Sequence, residues 1–137
     1  MQVLSTRLCD FELFADLTDE QLDEMAQSCE ELSVKPGSTV IRQGQVGTEI
    51  YLMEEGSVSI YRELNGAIQP LVELEAPAVF GEMAIVNPER IRTASVKALS
   101  DSRVLTIHIG DFRALLRRFP ELKTRLQQLI AQRTSGR

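Results

Sequence analysis

The sequence FGEMAIVNPERIRTASV, residues 80–96, determines how the rest of the chain is interpreted. Gly81 and Glu82 open it, and Arg92 follows ten residues after the glutamate, directly before TASVKA. We expect EMAIV to form one helical turn, which the following Asn-Pro pair ends. TASVKA is typical of a strand. The stretch therefore predicts a glycine turn, a helical turn and a loop that returns an arginine to the start of a strand.

The charged pair in this stretch allows two interpretations. Spacing alone favours a structural ion pair between Glu82 and Arg92 across the loop. In the other interpretation, the N–H groups of the helical turn and the guanidinium bind a phosphate. Glu82 would repel that anion, so its role would be to accept hydrogen bonds from the hydroxyls of a sugar. A phosphate site beside a sugar site describes a nucleotide site that has no P-loop.

The sequence before the stretch has the pattern of a β-rich domain. It is rich in β-branched residues, and glycines interrupt it at short intervals. Short strands between turn signals are typical of an antiparallel barrel or sandwich. Asn65-Gly66 predicts a hairpin turn, and RVLTIHI after the stretch predicts a last strand. We predict about eight strands over residues 32–109.

A helix is predicted before the strands. Thr18 and Gln21 have the spacing of a capping box, so the helix is expected to cover about residues 19–29. Cys29 falls on its apolar face.

Two further helices are predicted over about residues 111–133. Asp111 is the expected cap of the first, and Pro120 is expected to open the second. The tail after residue 131 is expected to fray. The apolar stripe of the second helix consists of Leu122, Leu126, Leu129 and Ile130.

Composition limits the possible functions of the chain. Its 137 residues are 43% hydrophobic and suit one domain, and the net charge of −5 argues against a broad nucleic-acid surface. No apolar run is long enough to span a bilayer and no signal peptide is evident, so we expect a cytoplasmic protein without membrane insertion. One histidine and two isolated cysteines exclude the common zinc sites. We therefore expect no metal site and no catalytic residues.

The opening stretch resembles the phosphate-binding cassette of the cyclic nucleotide-binding domain family. That family carries F-G-E-[LM]-A, a short variable loop and then R-x-A-[ST]-V. Here the matching segments are residues 80–84 and 92–96. Three other segments also resemble segments of the family: FADLTDEQLDEMA, the glycine-punctuated run that begins VKPGSTVIRQGQVG, and FRALLRRFPEL. The resemblance covers most of the chain.

The resemblance implies a fold and a binding site. The implied fold is α+β and mainly β: an eight-stranded antiparallel β-roll, or small jelly-roll barrel, with an N-terminal helix and two C-terminal helices. Residues 1–137 would form a single domain. Arg92 would bind the cyclic phosphate and Glu82 the ribose 2′-hydroxyl. The other implied ligand-binding residues are Gly81, Met83 and Ala84 near the sugar and phosphate, Thr93, Ala94 and Ser95 near the phosphate or purine, and Ile60, Leu71 and Val72 beside the base.

The resemblance also implies what the domain does. On this resemblance we expect it to bind cAMP, cGMP or both without chemistry or cofactor; Thr93 permits cGMP, and we favour cAMP or both over cGMP alone. The expected signal is a movement of the C-terminal helices, with Leu126, Leu129 or Ile130 as the lid contact. The effector protein is unknown, and no direct contact with nucleic acid is expected.

Other functions stay open. The Met1 start and the end soon after the last helix favour a stand-alone receptor over the sensor fragment of a larger transcription regulator, kinase or channel. A degenerate β-roll that contacts only proteins is another alternative, although Glu82 and Arg92 are both intact. A jelly-roll enzyme of the cupin kind is disfavoured because there is a single histidine.

Overall fold

Two four-stranded antiparallel sheets form the centre of the structure, a computed structural model that describes residues 3–135. The strands are β1 (Cys29–Val34), β2 (Thr39–Ile41), β3 (Glu49–Glu55), β4 (Ser57–Leu64), β5 (Ala67–Glu75), β6 (Ala78–Phe80), β7 (Ser95–Ala98) and β8 (Ser102–His108). One sheet has the order β1-β8-β3-β6 and the other β2-β7-β4-β5. The predicted eight-stranded β-roll is confirmed, except that within the described residues the sheets do not close into one barrel.

Helices flank the sheets at both ends of the chain, and one short helix lies between β6 and β7. They are α1 (Val3–Leu8), α2 (Asp19–Ala26), α3 (Met83–Val86), α4 (Ile109–Arg118) and α5 (Pro120–Ser135), with a 3-10 turn at Glu12–Phe14. Across the part of the chain that the structure describes, no helix has the length and hydrophobicity needed to cross a lipid bilayer. The two C-terminal helices are confirmed. The last one reaches Ser135, so the predicted fraying is wrong for residues 132–135, and the remaining two residues of that tail lie outside the described residues.

The capping box predicted for α2 is present. The Gln21 amide donates to the Thr18 hydroxyl at 3.2 Å, and the Thr18 amide donates to the Gln21 side chain at 2.8 Å. The helix ends at Ala26, however, so its predicted extension to Cys29 is wrong. Cys29 instead pairs with Ile107 at the start of the β1–β8 ladder. The β-roll therefore begins three residues before the predicted boundary at residue 32.

The predicted hairpin joins β4 and β5. Asn65 and Gly66 have φ angles of 54° and 81°, the left-handed pair that matches the twist of a two-residue hairpin. On β4, Val58 and Ile60 point inward and are buried, with 1% and 4% of their surface exposed. The alternation that predicts this strand therefore corresponds to a true inner face.

The junction between the last strand and α4 differs from the prediction. The helix begins at Ile109, and its cap is His108, whose Nδ1 accepts a hydrogen bond from the Gly110 amide at 2.9 Å. Asp111 is not the cap, because the helix starts two residues earlier, at Ile109. Asp111 lies in the first turn, where its charge favours the helix dipole. Pro120 opens α5 as predicted.

The interior consists of two apolar clusters. The first lies between the helices and the sheet that contains β8, and it includes Phe14, Phe112 and Leu122. The second lies between the sheets and includes Met53 and Phe80. Of the predicted stripe on α5, Leu122 and Leu126 are buried in the first cluster, and Leu129 and Ile130 are half-buried against it.

Leu122 packs α5 against the first cluster, so its truncation should destabilise the fold. Leu122→Ala is expected to lower the free energy of unfolding by about 3 kcal/mol, because it removes buried methyl groups and leaves a cavity. Urea denaturation measures the change. Leu99→Ala is the control: Leu99 is 44% exposed, and its loss should cost less than about 0.5 kcal/mol. Equal losses in the two variants would contradict this account of how α5 is held.

Candidate functional site

Gly81 forms the turn between β6 and α3. Its φ is 82°, a conformation that side chains other than glycine rarely adopt. A Cβ at this position would also lie 3.0 Å from the Tyr51 ring and 3.1 Å from Nη1 of Arg92. The predicted helical turn follows as α3, and the loop after it returns the chain to Arg92. Gly81 is therefore required both by its backbone conformation and by the close approach of Arg92.

The guanidinium of Arg92 is buried and held by neutral acceptors. Nη1 donates to the Gly81 carbonyl at 2.8 Å, and Nη2 donates to the Glu49 carbonyl at 2.7 Å. Only 8% of the residue is exposed. No ion pair of Arg92 is present within residues 3–135. Burial lowers the pKa of Arg92, and the nearby Tyr51, Glu82 and Glu49 offset this only in part.

Glu82 is buried more deeply than Arg92, and its partner comes from the far end of the chain. Its carboxylate Oε2 lies 2.7 Å from Nη1 of Arg133, and only 2% of its side chain is exposed. The ion pair that spacing favoured, between Glu82 and Arg92, is therefore wrong. Arg92 donates to carbonyls instead, and α5 brings Arg133 to the carboxylate. Among residues 3–135, Nη1 of Arg133 finds no hydrogen-bond partner of good geometry, so its contact with Glu82 is an ion pair.

Arg133 was missed in the sequence analysis, although a signal was present. It follows Leu126, Leu129 and Ile130 at helical spacing, so it lies on the face of α5 that packs inward. The expectation that the tail frays left no role for this residue. The signal is that a charged residue continues the apolar stripe of α5.

A cavity of about 150 Å³ lies among these residues. Most of the predicted site residues line it: Ile60, Gly81, Glu82, Met83, Ala84, Arg92, Thr93 and Ala94. Its lining also includes residues that the sequence analysis did not select: Ile41, Val86, Asn87, Ile91, Val96 and Arg133. The cavity thus has two arginines, Arg92 and Arg133, and one carboxylate, Glu82, on an otherwise largely apolar wall.

Three predicted residues do not line the cavity. The Ser95 hydroxyl is buried and accepts a hydrogen bond from the Gln43 amide at 2.9 Å. Leu71 lies at the bulge opposite Ile60 and packs into the second cluster. Val72 pairs with Ile60 across the β4–β5 ladder but is 38% exposed. Ser95 is thus engaged by the backbone, whereas Leu71 and Val72 lie beside the cavity.

Known proteins resemble this chain in sequence and in structure. The cyclic AMP receptor protein of Thermus thermophilus is 32% identical over 122 residues, which are 88% of this chain and 56% of that protein. The cAMP-dependent protein kinase regulatory subunit of Mucor circinelloides is 30% identical over 109 residues, 80% of this chain and 25% of that protein. This chain therefore spans about half, or less, of these relatives.

Structural and family comparisons agree with the sequence relatives. The catabolite activator protein of Thermus thermophilus superposes with a TM-score of 0.80 at 31% identity, covering 90% of this chain and 58% of that one. The family model of the cyclic nucleotide-binding domain matches residues 31–119. That match spans more than half of the chain and contains the whole segment from Gly81 to Arg92. The chain therefore belongs to the cyclic nucleotide-binding domain family.

Proposed function

We propose that this chain binds a cyclic nucleotide, with Arg92 on the cyclic phosphate and Glu82 on the ribose 2′-hydroxyl. One observation carries the proposal: a buried guanidinium that donates to two carbonyls shares a cavity with a buried carboxylate. The guanidinium keeps its full charge, since carbonyls do not neutralise it. It also has five N–H donors, so the two carbonyls leave donors for an anion.

The remaining site residues have secondary roles in this proposal. Gly81, Met83 and Ala84 contribute backbone contacts near the sugar and phosphate, and Ile60 contacts the base. Ala94 leaves room beside Arg92 for the phosphate. Ser95, Leu71 and Val72 contribute indirectly, since they support or flank the residues that line the cavity.

The base is proposed to be adenine, or either purine. Thr93 is exposed on the cavity wall, where its hydroxyl is available to the base. A hydroxyl there permits guanine without excluding adenine. The names of the relatives from Thermus and Mucor support cAMP as a ligand. We propose cAMP, or both cyclic nucleotides, over cGMP alone.

The signal is proposed to be a movement of the two C-terminal helices. Both contact the segment around α3: Arg133 on α5 pairs with Glu82, and Arg113 on α4 donates to the Ile85 carbonyl at 2.9 Å. A ribose at Glu82 changes the surroundings of Arg133, and a phosphate at Arg92 fixes the loop after α3. Binding can therefore shift the equilibrium between two helix positions.

We propose that residues 1–137 act as a single cytoplasmic binding domain, not as an enzyme. Its partners would be the cyclic nucleotide and an effector protein, with no direct nucleic-acid contact and no membrane insertion. The second candidate is the sensor part of a larger regulator, favoured by the observation that the chain spans 56% of its relative from Thermus. Both candidates require the same ligand site.

Thermal unfolding with cAMP, cGMP and 5′-AMP tests the proposal. A cyclic nucleotide at 100 times its dissociation constant should stabilise the fold by about 2.7 kcal/mol, whereas 5′-AMP at the same concentration should stabilise it less. Protein denatured before use and assayed for released nucleotide controls for ligand retained through purification. If neither cyclic nucleotide shifts the transition and none is released, the proposed function is wrong.

Arg92→Ala should remove most of the affinity. We expect a loss of about 3 kcal/mol, roughly 100-fold, because the variant removes charge-assisted hydrogen bonds to the phosphate. Isothermal titration calorimetry measures it. Arg103→Ala is the matched control, since Arg103 on β8 is 54% exposed and pairs with Glu55 on the surface. Affinity unchanged in Arg92→Ala would show that another group holds the phosphate.

Glu82→Gln should remove discrimination for the ribose hydroxyl. The wild-type chain is expected to bind 2′-deoxy-cAMP about tenfold or more weakly than cAMP, because a carboxylate accepts a strong hydrogen bond from the hydroxyl. In Glu82→Gln the two ligands should bind with affinities within about threefold of each other, since a hydrogen bond to an uncharged amide is weaker. Competition titration compares them. A wild-type chain that does not distinguish the two ligands would rule out this role for Glu82.

Arg133→Ala should destabilise the unliganded protein and uncouple α5 from the ligand. A loss of about 3 kcal/mol is expected on urea unfolding, because the buried Glu82 carboxylate loses its counter-charge. Adding Glu82→Gln should recover part of that loss. Hydrogen exchange in the last turns of α5 should slow with cyclic nucleotide in the wild type and respond less in Arg133→Ala.

Arg125→Ala provides the control on the same helix. Arg125 donates to the exposed Asp16 at 2.8 Å, so its loss should cost less than about 1 kcal/mol. The exchange response of α5 to the ligand should persist in this variant. An undiminished response in Arg133→Ala would contradict signalling through the contact with Glu82.

A further inference from the structure

Gly47, in the loop between β2 and β3, has a close neighbour that explains why it is a glycine. Its φ lies outside the left-handed region, so its backbone conformation does not require glycine. A Cβ at this position would lie 2.5 Å from Cζ and Nε of Arg92 and 2.9 Å from Nη2. A Cβ atom does not come this close to a heavy atom to which it is not bonded, so something would have to shift. The guanidinium of Arg92 therefore occupies the space that a side chain at position 47 would need.

Other groups enclose the same guanidinium. Gly81 approaches Nη1 from a second side, and the Tyr51 ring lies with its centroid 5.9 Å from Cζ of Arg92. Tyr51 is itself stacked on Phe80, with the centroids 5.1 Å apart and the ring planes within 5°. We call this enclosure the arginine slot. It comprises Gly47, Tyr51, Gly81 and the carbonyls of Glu49 and Gly81.

Backbone hydrogen bonds fix the slot against the loop that carries Arg92. The Gly47 amide donates to the Arg90 carbonyl at 2.6 Å, and the Arg92 amide donates to the Gln45 carbonyl at 2.8 Å. The Gly44 amide donates to the Arg92 carbonyl, also at 2.8 Å. These bonds join the two loops in register. Because both loops are fixed, a side chain at position 47 has to displace the guanidinium rather than the backbone.

The slot selects one position for a long, flexible side chain. An arginine on an open loop would lose rotamer freedom when it bound an anion, and that loss would weaken binding. Arg92 in the slot has already lost this rotamer freedom on folding. The slot also fits a planar fork that bonds to two carbonyls, which the single ammonium of lysine does not reproduce.

We propose that Gly47 is a positioning residue for the anion site: by leaving the slot open, it holds Arg92 in its binding position. The proposal rests on the proposed function, in which Arg92 binds the cyclic phosphate. It assigns to Gly47 a role in affinity rather than in forming a turn. The role is indirect, because Gly47 does not line the cavity.

A double-mutant cycle of Gly47→Ala and Arg92→Ala tests the proposal by calorimetry with cAMP and with cGMP. Gly47→Ala alone should weaken binding about tenfold or more, because the guanidinium leaves the slot. In the Arg92→Ala background it should change affinity by less than about twofold, because there is no guanidinium to displace. Wild-type affinity in Gly47→Ala, or the same loss in both backgrounds, would overturn the proposal.

Gly66→Ala controls for a general loss of stability. Gly66 has a φ of 81° at the β4–β5 hairpin tip, and a Cβ there meets no atom within 4 Å. This variant strains the backbone far from the slot, so it should lower the melting temperature and leave affinity unchanged. If Gly47→Ala folds only when combined with Arg92→Ala, the clash with the guanidinium is demonstrated directly.

A measurement without ligand separates failure of the slot from failure of the proposed function. Both Nη groups of Arg92 donate to carbonyls, so ¹⁵N-labelled protein should show guanidinium NH₂ resonances in slow exchange with water. Arg92→Ala identifies them by their loss. They should also be lost in Gly47→Ala and retained in Gly66→Ala. Their persistence in Gly47→Ala would overturn the slot, whereas absence of nucleotide binding in the wild type would overturn only the proposed function.

Discussion

The structure depends on the burial of two opposite charges in one cavity without direct neutralisation between them. Glu82 is 2% exposed and Arg92 is 8% exposed. Desolvation makes each charge costly unless it has partners. Glu82 has Arg133 as its partner, and the guanidinium of Arg92 has two carbonyls. Because the charges are satisfied separately, the proposed function can assign each of them to a different part of one ligand.

The segment from β6 to β7 contributes residues to both apolar clusters. Phe80 belongs to the apolar cluster between the sheets, whereas Ala84 belongs to the cluster under the helices. The few residues between them include the turn at Gly81, which needs its glycine both for its φ and for the approach of Arg92. The segment thus connects the sheets to the C-terminal helices. Any displacement of the segment changes the packing in both clusters.

Local signals in the sequence predicted a large part of this structure, and non-local contacts account for the rest. The capping box at Thr18 and the hairpin at Asn65-Gly66 depend on neighbouring residues only, and both are present. Cys29 fits a helical stripe, but pairing with β8 overrides that periodicity. Arg133 reaches Glu82 only because the whole of α5 packs against the domain. The sequence around the motif identified Glu82 and Arg92 as charged residues of the site. It did not show that Glu82 pairs with Arg133 and not with Arg92.

The burial of Arg92 has a consequence for ionic strength and kinetics. The chain carries a net charge of −5, so an anionic ligand meets a repulsive long-range field before it reaches the guanidinium. Added salt screens that field over roughly 10 Å at 0.1 M, whereas a contact inside the cavity is screened much less. Salt should then hasten the encounter and leave the residence time nearly constant. On the proposed function, affinity would then come from contacts inside the cavity and not from long-range attraction.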